Sequence, residues 1–300
     1  MKLKKWLSRG LVLAMVLALM VPVPVAAKSN GGGKLVKSVT YYDVDDSGAW
    51  ALRDPEDGSA KVTFKYGKKN TPSAVTYTWY NTFLGVPVSG GSSTYEIKYK
   101  GNKATEYDTA GFVSSKSTFK NGNLTSWSSD SKESWKTKEG KDYARFSAEV
   151  GHASYFKNGL MKAEDYTSSS MNSDNVSTVS TSNAVYAWTQ KKGVPSMMYR
   201  TSVASYNDNE AETSYAVFNS KGLVIEEGSV VDGKNVPDYA YVYTMKKGKV
   251  KEAVVYSIDE KGTPTPLTMM KFAYTNKSIS KTTNLKMIND LVGCAGFRWF

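Results

Sequence analysis

Few residues in this chain have the types and spacing to do chemistry. Asp43-Val-Asp45-Asp46-Ser47-Gly48, followed by Asp54, puts oxygen donors at loop positions one, three, five and twelve, with glycine at six. That is the ligand frame of an EF-hand calcium loop. Asp54 is shorter than the bidentate glutamate of that frame, Pro55 follows it, and no helical periodicity flanks either side. Calcium held by Asp43, Asp45, Ser47 and Asp54 is one expectation. An acidic hairpin turn is the other.

Trp127 and Trp135 flank Ser128-Ser-Asp-Ser-Lys-Glu-Ser134, and a hairpin there would set the two indoles side by side. Such a cross-strand pair stabilises a sheet by about 0.2–1 kcal/mol. Because the neighbours are Ser, Asp, Lys and Glu, the same pair can instead form a ligand-binding platform on which a sugar ring stacks. His152, the only histidine, has no second histidine or nearby cysteine to complete a zinc site. No nucleophile-elbow sequence accompanies it, so it reads as a structural imidazole between Gly151 and Ala153. Cys294 is the only cysteine; it is either buried or pairs between molecules, and stability must come from packing and strand pairing. Carboxylates are plentiful, but a hydrolytic pair needs a cleft, which spacing does not reveal. Gly31 to Gly33 sit outside any strand-to-helix context, so no phosphate loop is expected. No catalytic residue is assigned.

The elements that must position these residues show most plainly over 95–127. Tyr95, Ile97 and Tyr99 alternate with Glu96 and Lys98, the period of a half-buried strand, and Tyr107 is expected to resume the aromatic face. Asn121-Gly122 tolerates the positive φ of a type I′ turn and marks a hairpin. An aromatic residue, polar residues and a glycine recur at Phe119-Lys-Asn-Gly122, Phe156-Lys-Asn-Gly159, Phe218 to Gly222, Tyr243 to Gly248 and Tyr256 to Gly262. An all-β, antiparallel meander of about fourteen strands follows. Residues 85–93 read as a loop, residues 167–183 as an exposed loop or a boundary between halves, and Pro264 and Pro266 as a last loop or edge. Leu285, Ile288, Leu291 and Val292 fall at helical spacing, which predicts one short C-terminal helix over 284–292. The terminal Phe297-Arg-Trp-Phe300 is expected to tuck against the body.

The turn frame resembles the tyrosine-and-glycine hairpins of the YD-repeat families of bacterial secreted and surface proteins, with Tyr107-Asp108-Thr-Ala-Gly111-Phe112 the nearest instance. The likeness covers parts of residues 95–275 and lacks the regular repeat length. It implies an extracellular β-meander and no particular function.

Lys2, Lys4, Lys5 and Arg9 ahead of an apolar run, then Val25-Ala26-Ala27, make residues 1–27 a signal peptide; the run is too short to span a membrane, and 28–34 form a flexible leader before a domain over 35–300. Removing the signal takes the formal charge from +11 to +7, since four basic residues and no acidic ones go. That charge is spread along the chain, unlike the stripe of a nucleic-acid binder. The expected molecule is a secreted or cell-surface, non-catalytic module binding a polymer (a glycan or cell-wall polymer) or a partner protein through exposed aromatics and lysines. Two other classes stand beside it: a glycan or wall hydrolase with a carboxylate pair, and an outer-membrane β-barrel. Arg298, where the last strand of such a barrel usually has an aromatic, speaks against the barrel.

Overall fold

The computed structural model describes residues 33–293 except 56, 68–69, 84–85, 122, 137–141, 173, 175 and 280. The signal peptide, the start of the leader, Cys294 and Phe297-Arg-Trp-Phe300 therefore lie outside the described residues.

The alternating sequence folds as seventeen strands: β1 (Gly33–Val44), β2 (Trp50–Leu52), β3 (Lys61–Tyr66), β4 (Pro72–Phe83), β5 (Val86–Lys100), β6 (Lys103–Tyr107), β7 (Val113–Lys120), β8 (Asn123–Lys136), β9 (Asp142–Tyr155), β10 (Met161–Asn172), β11 (Ser177–Lys191), β12 (Val194–Ala204), β13 (Ala211–Phe218), β14 (Val224–Val231), β15 (Lys234–Lys246), β16 (Lys249–Ile258) and β17 (Pro264–Ile279). The helix α1 (Lys281–Val292) follows them. Neighbours in sequence are antiparallel neighbours in space, and β17 returns to β1 with Val39 opposite Phe272 and Tyr41 opposite Met270. The meander is therefore closed into a barrel. β2 and β3 share one place in the wall, both pairing β1 on either side of an insertion, so the barrel has sixteen staves.

The expectation of about fourteen strands is corrected upward, and the additional residues come from stretches read as loops. Gly90 and Gly91 lie in β5, where Gly91 faces Trp79 across the ladder. A side chain at Gly91 would stand 2.6 Å from the Trp79 ring, so glycine there makes room for an indole rather than for a turn. Residues 167–183 are mostly the paired arms of β10 and β11, with Thr167 opposite Thr181 and Ser170 opposite Thr178. Their small polar side chains are strand residues of the wall. Pro264 and Pro266 belong to β17 near its start, beside a register shift in the β16 ladder.

Residues directly opposite share a face, which lets the wall be read in rows. One inner row runs Tyr99, Ala104, Ser117, Trp127, Gly151, Tyr166, Ser182 and Ala204. The outer row beside it runs Lys98, Thr105, Lys116, Ser128, Val150, Thr167 and Thr181. Rings and aliphatic groups such as Val39, Phe64, Ile97, Phe119, Tyr241 and Phe272 fill the inside. The outside is rich in threonine, serine and charge.

Both described ends of the chain lie at one rim, here the lower rim. The frames at Phe119, Phe156, Phe218 and Tyr243 all turn there, whereas Tyr256 precedes a turn at the upper rim. At four places a register shift in the strand leaving the lower rim is bridged by a ring from its neighbour. The Tyr66, Tyr155 and Tyr274 hydroxyls donate to the carbonyls of Val36, Leu124 and Val250 at 2.6, 2.8 and 2.6 Å, and the Trp188 indole N–H donates to Met161 at 2.8 Å. Each bond satisfies a carbonyl at a disrupted point of the ladder. α1 then crosses part of the lower rim, with Met287, Ile288 and Val292 buried in the core. Asn284 donates to the Lys34 carbonyl at 2.7 Å, while buried Asn289 donates to the Gly222 carbonyl at 2.8 Å and accepts the Val224 N–H at 3.1 Å.

Candidate functional site

Three glutamates sit on the inner face among apolar neighbours: Glu106, Glu164 and Glu227. The local reason is register. The two-residue turn after Lys100 pairs it with Lys103, so the odd-numbered inner residues of β5 continue as even-numbered ones in β6. Ala104 and Glu106 then face inward, and Tyr107 faces outward opposite Glu96. The expectation that Tyr107 resumes the aromatic face is thereby corrected: its ring lies outside under the Lys98 ammonium, 4.5 Å away.

Glu164 is fully engaged. The Tyr186 hydroxyl donates to Oε1 at 2.7 Å, and the Arg200 guanidinium reaches the same oxygen from Nε and Nη2 at 3.4 and 3.3 Å. Arg200 also donates to the Ser202 hydroxyl at 2.9 Å. Glu227 accepts a short hydrogen bond from the Tyr241 hydroxyl. Glu106 differs. Among the described residues only the hydroxyls of Ser114 and Ser115 reach it, at 3.1 and 3.5 Å, and burial pushes its carboxyl up to about 8. Around it, Tyr77 Oη, Tyr99 Oη and Ser117 Oγ are buried without a partner among the described residues. Burial raises both the Tyr77 and Tyr99 phenols, and the Glu106 charge raises them further. A carboxyl beside the Tyr99 and Ser117 hydroxyls in an apolar wall can bind or hold a proton; no nucleophile with a base is assembled there.

The sequence-predicted sites fall elsewhere. Asp43 faces inward and is clamped by Arg53, whose Nε and Nη2 lie 2.8 and 3.1 Å from its oxygens, and it also accepts the Thr268 hydroxyl at 2.7 Å. Asp45 accepts the N–H groups of Ser47 and Ala49 and the Ser47 hydroxyl, capping its own turn before Gly48 at φ +81°. Asp108, Asn172, Asn219 and Asp259 repeat this device, each accepting N–H groups two and four residues on. The spacing that looks like a calcium loop is thus one copy of a turn that recurs along the chain. Among the described residues no three His, Cys, Asp or Glu side chains gather as a metal site.

Trp127 and Trp135 are not brought together. Both lie on β8, eight residues apart, about 26 Å along one strand. Trp127 is buried on the inner face, its ring over Gly151. His152 sits on the outer face, 3.0 Å from Asp165 across the β9–β10 ladder, both more than half exposed. Sequence reasoning missed Glu106, although Ala104-Thr-Glu106 carries the signal: a glutamate on the apolar parity of a short strand.

No family model matches the chain, and no curated protein does. Among solved structures it is similar to a crystal structure of a porin-like protein from Bacteroides uniformis ATCC 8492, at TM-score 0.50 and 13% identity, over 81% of this chain and 99% of that one. That likeness is one of fold.

Proposed function

We propose that the mature chain is an exported, non-catalytic binding protein of the cell envelope, built on a porin-like barrel whose wall faces water and whose inside receives the ligand. The observation that carries this reading is the polarity of the two faces. A lipid-facing barrel wall is an apolar band, with polar groups inside. Here Val62, Val75, Ile97, Phe119 and Phe272 point inward, while Glu96, Lys98, Lys116, Asp165, Glu252 and Lys271 stand on the outer side of the ladders. Each lysine at the middle of a bilayer would cost about 2–4 kcal/mol. No helix among the described residues is long and apolar enough to cross a membrane, which says nothing of strands.

A second reading is an outer-membrane barrel. Closure of the sheet, the two described ends at one rim and the porin-like neighbour favour it. One measurement separates the two. The chain without residues 1–27 is expected to stay monodisperse without detergent and to leave lipid vesicles in flotation. Recovery only in detergent, with protease-protected strands in vesicles, would establish the membrane reading instead.

A further inference from the structure

The inner row Tyr99, Ala104, Ser117 has a bare methyl group at its centre. Around that methyl stand the Glu106 carboxyl and the Tyr99 and Ser117 hydroxyls from the flanking strands. Rings surround the place: Tyr77 and Tyr95 meet edge to face at 5.8 Å, and Trp127 is opposite Ser117. A carboxyl and two hydroxyls on apolar walls, the carboxyl able to carry a negative charge, describe a receptor for a group rich in N–H donors.

Glu164 supplies the internal comparison. There the cation is Arg200, which brings several N–H donors to a carboxylate and a phenol. At Glu106 the carboxyl and phenols are present, and no arginine or lysine of the described residues forms an ion pair with the carboxylate.

The wall is also lowest at this place. β6 and β7 have 5 and 8 residues, whereas β5 and β8 beside them have 15 and 14. The β5–β6 ladder stops at Glu96 and Tyr107, and the β7–β8 ladder at Ser115 and Ser129, so the strands on either side rise unpaired above a dip in the upper rim. Glu106 is one residue below that dip, and Phe112 at its lip is 72% exposed. A small molecule can approach from the side without passing along the barrel.

We propose that Glu106, Tyr99 and Ser117 form a binding site for a primary ammonium group, taken in through the dip above β6 and β7. An ammonium has three N–H donors and a full charge, which matches two hydroxyl acceptors and one carboxylate. The aromatic walls add cation–π attraction. An amine, an amino sugar or a lysine side chain would present the same group. The inference rests on the reading of the barrel interior as the ligand site.

Calorimetric titration of the full mature chain with n-butylammonium chloride tests it, alongside tetramethylammonium chloride, n-butanol and potassium chloride. Saturable binding of butylammonium is expected, with the three other solutes at least about ten-fold weaker, because none offers both the charge and the N–H donors. Glu106→Gln should weaken binding at least about ten-fold. Tyr99→Phe, which removes one oxygen and keeps the ring, should weaken it several-fold and guards against misfolding of the first variant. Absence of saturable binding, equal binding of potassium or tetramethylammonium, or unchanged affinity in both variants would overturn the site. Failure of the envelope-protein reading would show in vesicle flotation, a separate readout.

Discussion

Glu106 and Glu164 lie in two sectors of one wall, each on the inner face, each beside tyrosines, at 2% and 8% exposure. Their surroundings differ in one respect. Glu164 has the Arg200 guanidinium and the Tyr186 hydroxyl, whereas Glu106 has two serine hydroxyls and phenols without partners among the described residues. Burial of a charge is tolerated when the countercharge is built in, and otherwise the group holds its proton or waits for a partner. Among the described residues the β10–β12 sector therefore has its countercharge, and the β4–β7 sector does not.

The largest effect should come from breaking the complete sector. Arg200→Met leaves the Glu164 carboxylate buried without its cation and should lower unfolding stability by about 3–5 kcal/mol in urea titrations at neutral pH. Adding Glu164→Gln to that variant should recover most of the loss.

Glu106→Gln should act in the opposite direction. A carboxyl raised to about 8 when folded stabilises the fold in its protonated form, below its unfolded value near 4.5. That stability is lost as pH rises through the folded value. Wild-type stability should therefore fall between pH 5 and 9, by on the order of 3–4 kcal/mol if no ligand is bound, and the variant should flatten the profile. A profile unchanged by the substitution would end the contrast between the sectors.

Two tyrosines sharpen it further. Tyr186→Phe removes a donor to a charged carboxylate and should cost about 1.5–3 kcal/mol by thermal denaturation. Tyr99→Phe removes a hydroxyl that has no partner in the described chain, so its melting temperature should rise slightly or stay within about 0.5 kcal/mol of the parent. The smallest effect is expected on the outer wall, where His152→Ala breaks an exposed pair with Asp165 and should change stability by no more than about 0.5 kcal/mol.

Much of the wall was legible in the residues. Tyr95, Ile97 and Tyr99 do face inward while Lys98 faces outward, and the chain does reverse between Lys120 and Asn123, with Asn121 at φ 52°. Gly90-Gly91 misled because a glycine opposite a tryptophan and a glycine in a turn look alike in one dimension. The acidic frame at Asp43 to Asp54 is ambiguous for a related reason: a carboxylate that caps its own turn has the spacing of one that holds a cation. For Glu106 the signal was parity, and parity could be assigned only once the turn after Lys100 was known to have two residues.

What the order of amino acids determined by itself is local: the two-faced strands, the reversals between them and the short amphipathic stretch that becomes α1. Each depends on neighbours within a few positions, where side-chain alternation and backbone preference decide. Closure of β17 onto β1, the gathering of rings from sixteen staves and the company each inner glutamate keeps belong to the tertiary structure. These join residues as far apart as Tyr41 and Met270, and no periodicity along the chain encodes which strands meet or which carboxylate finds an arginine.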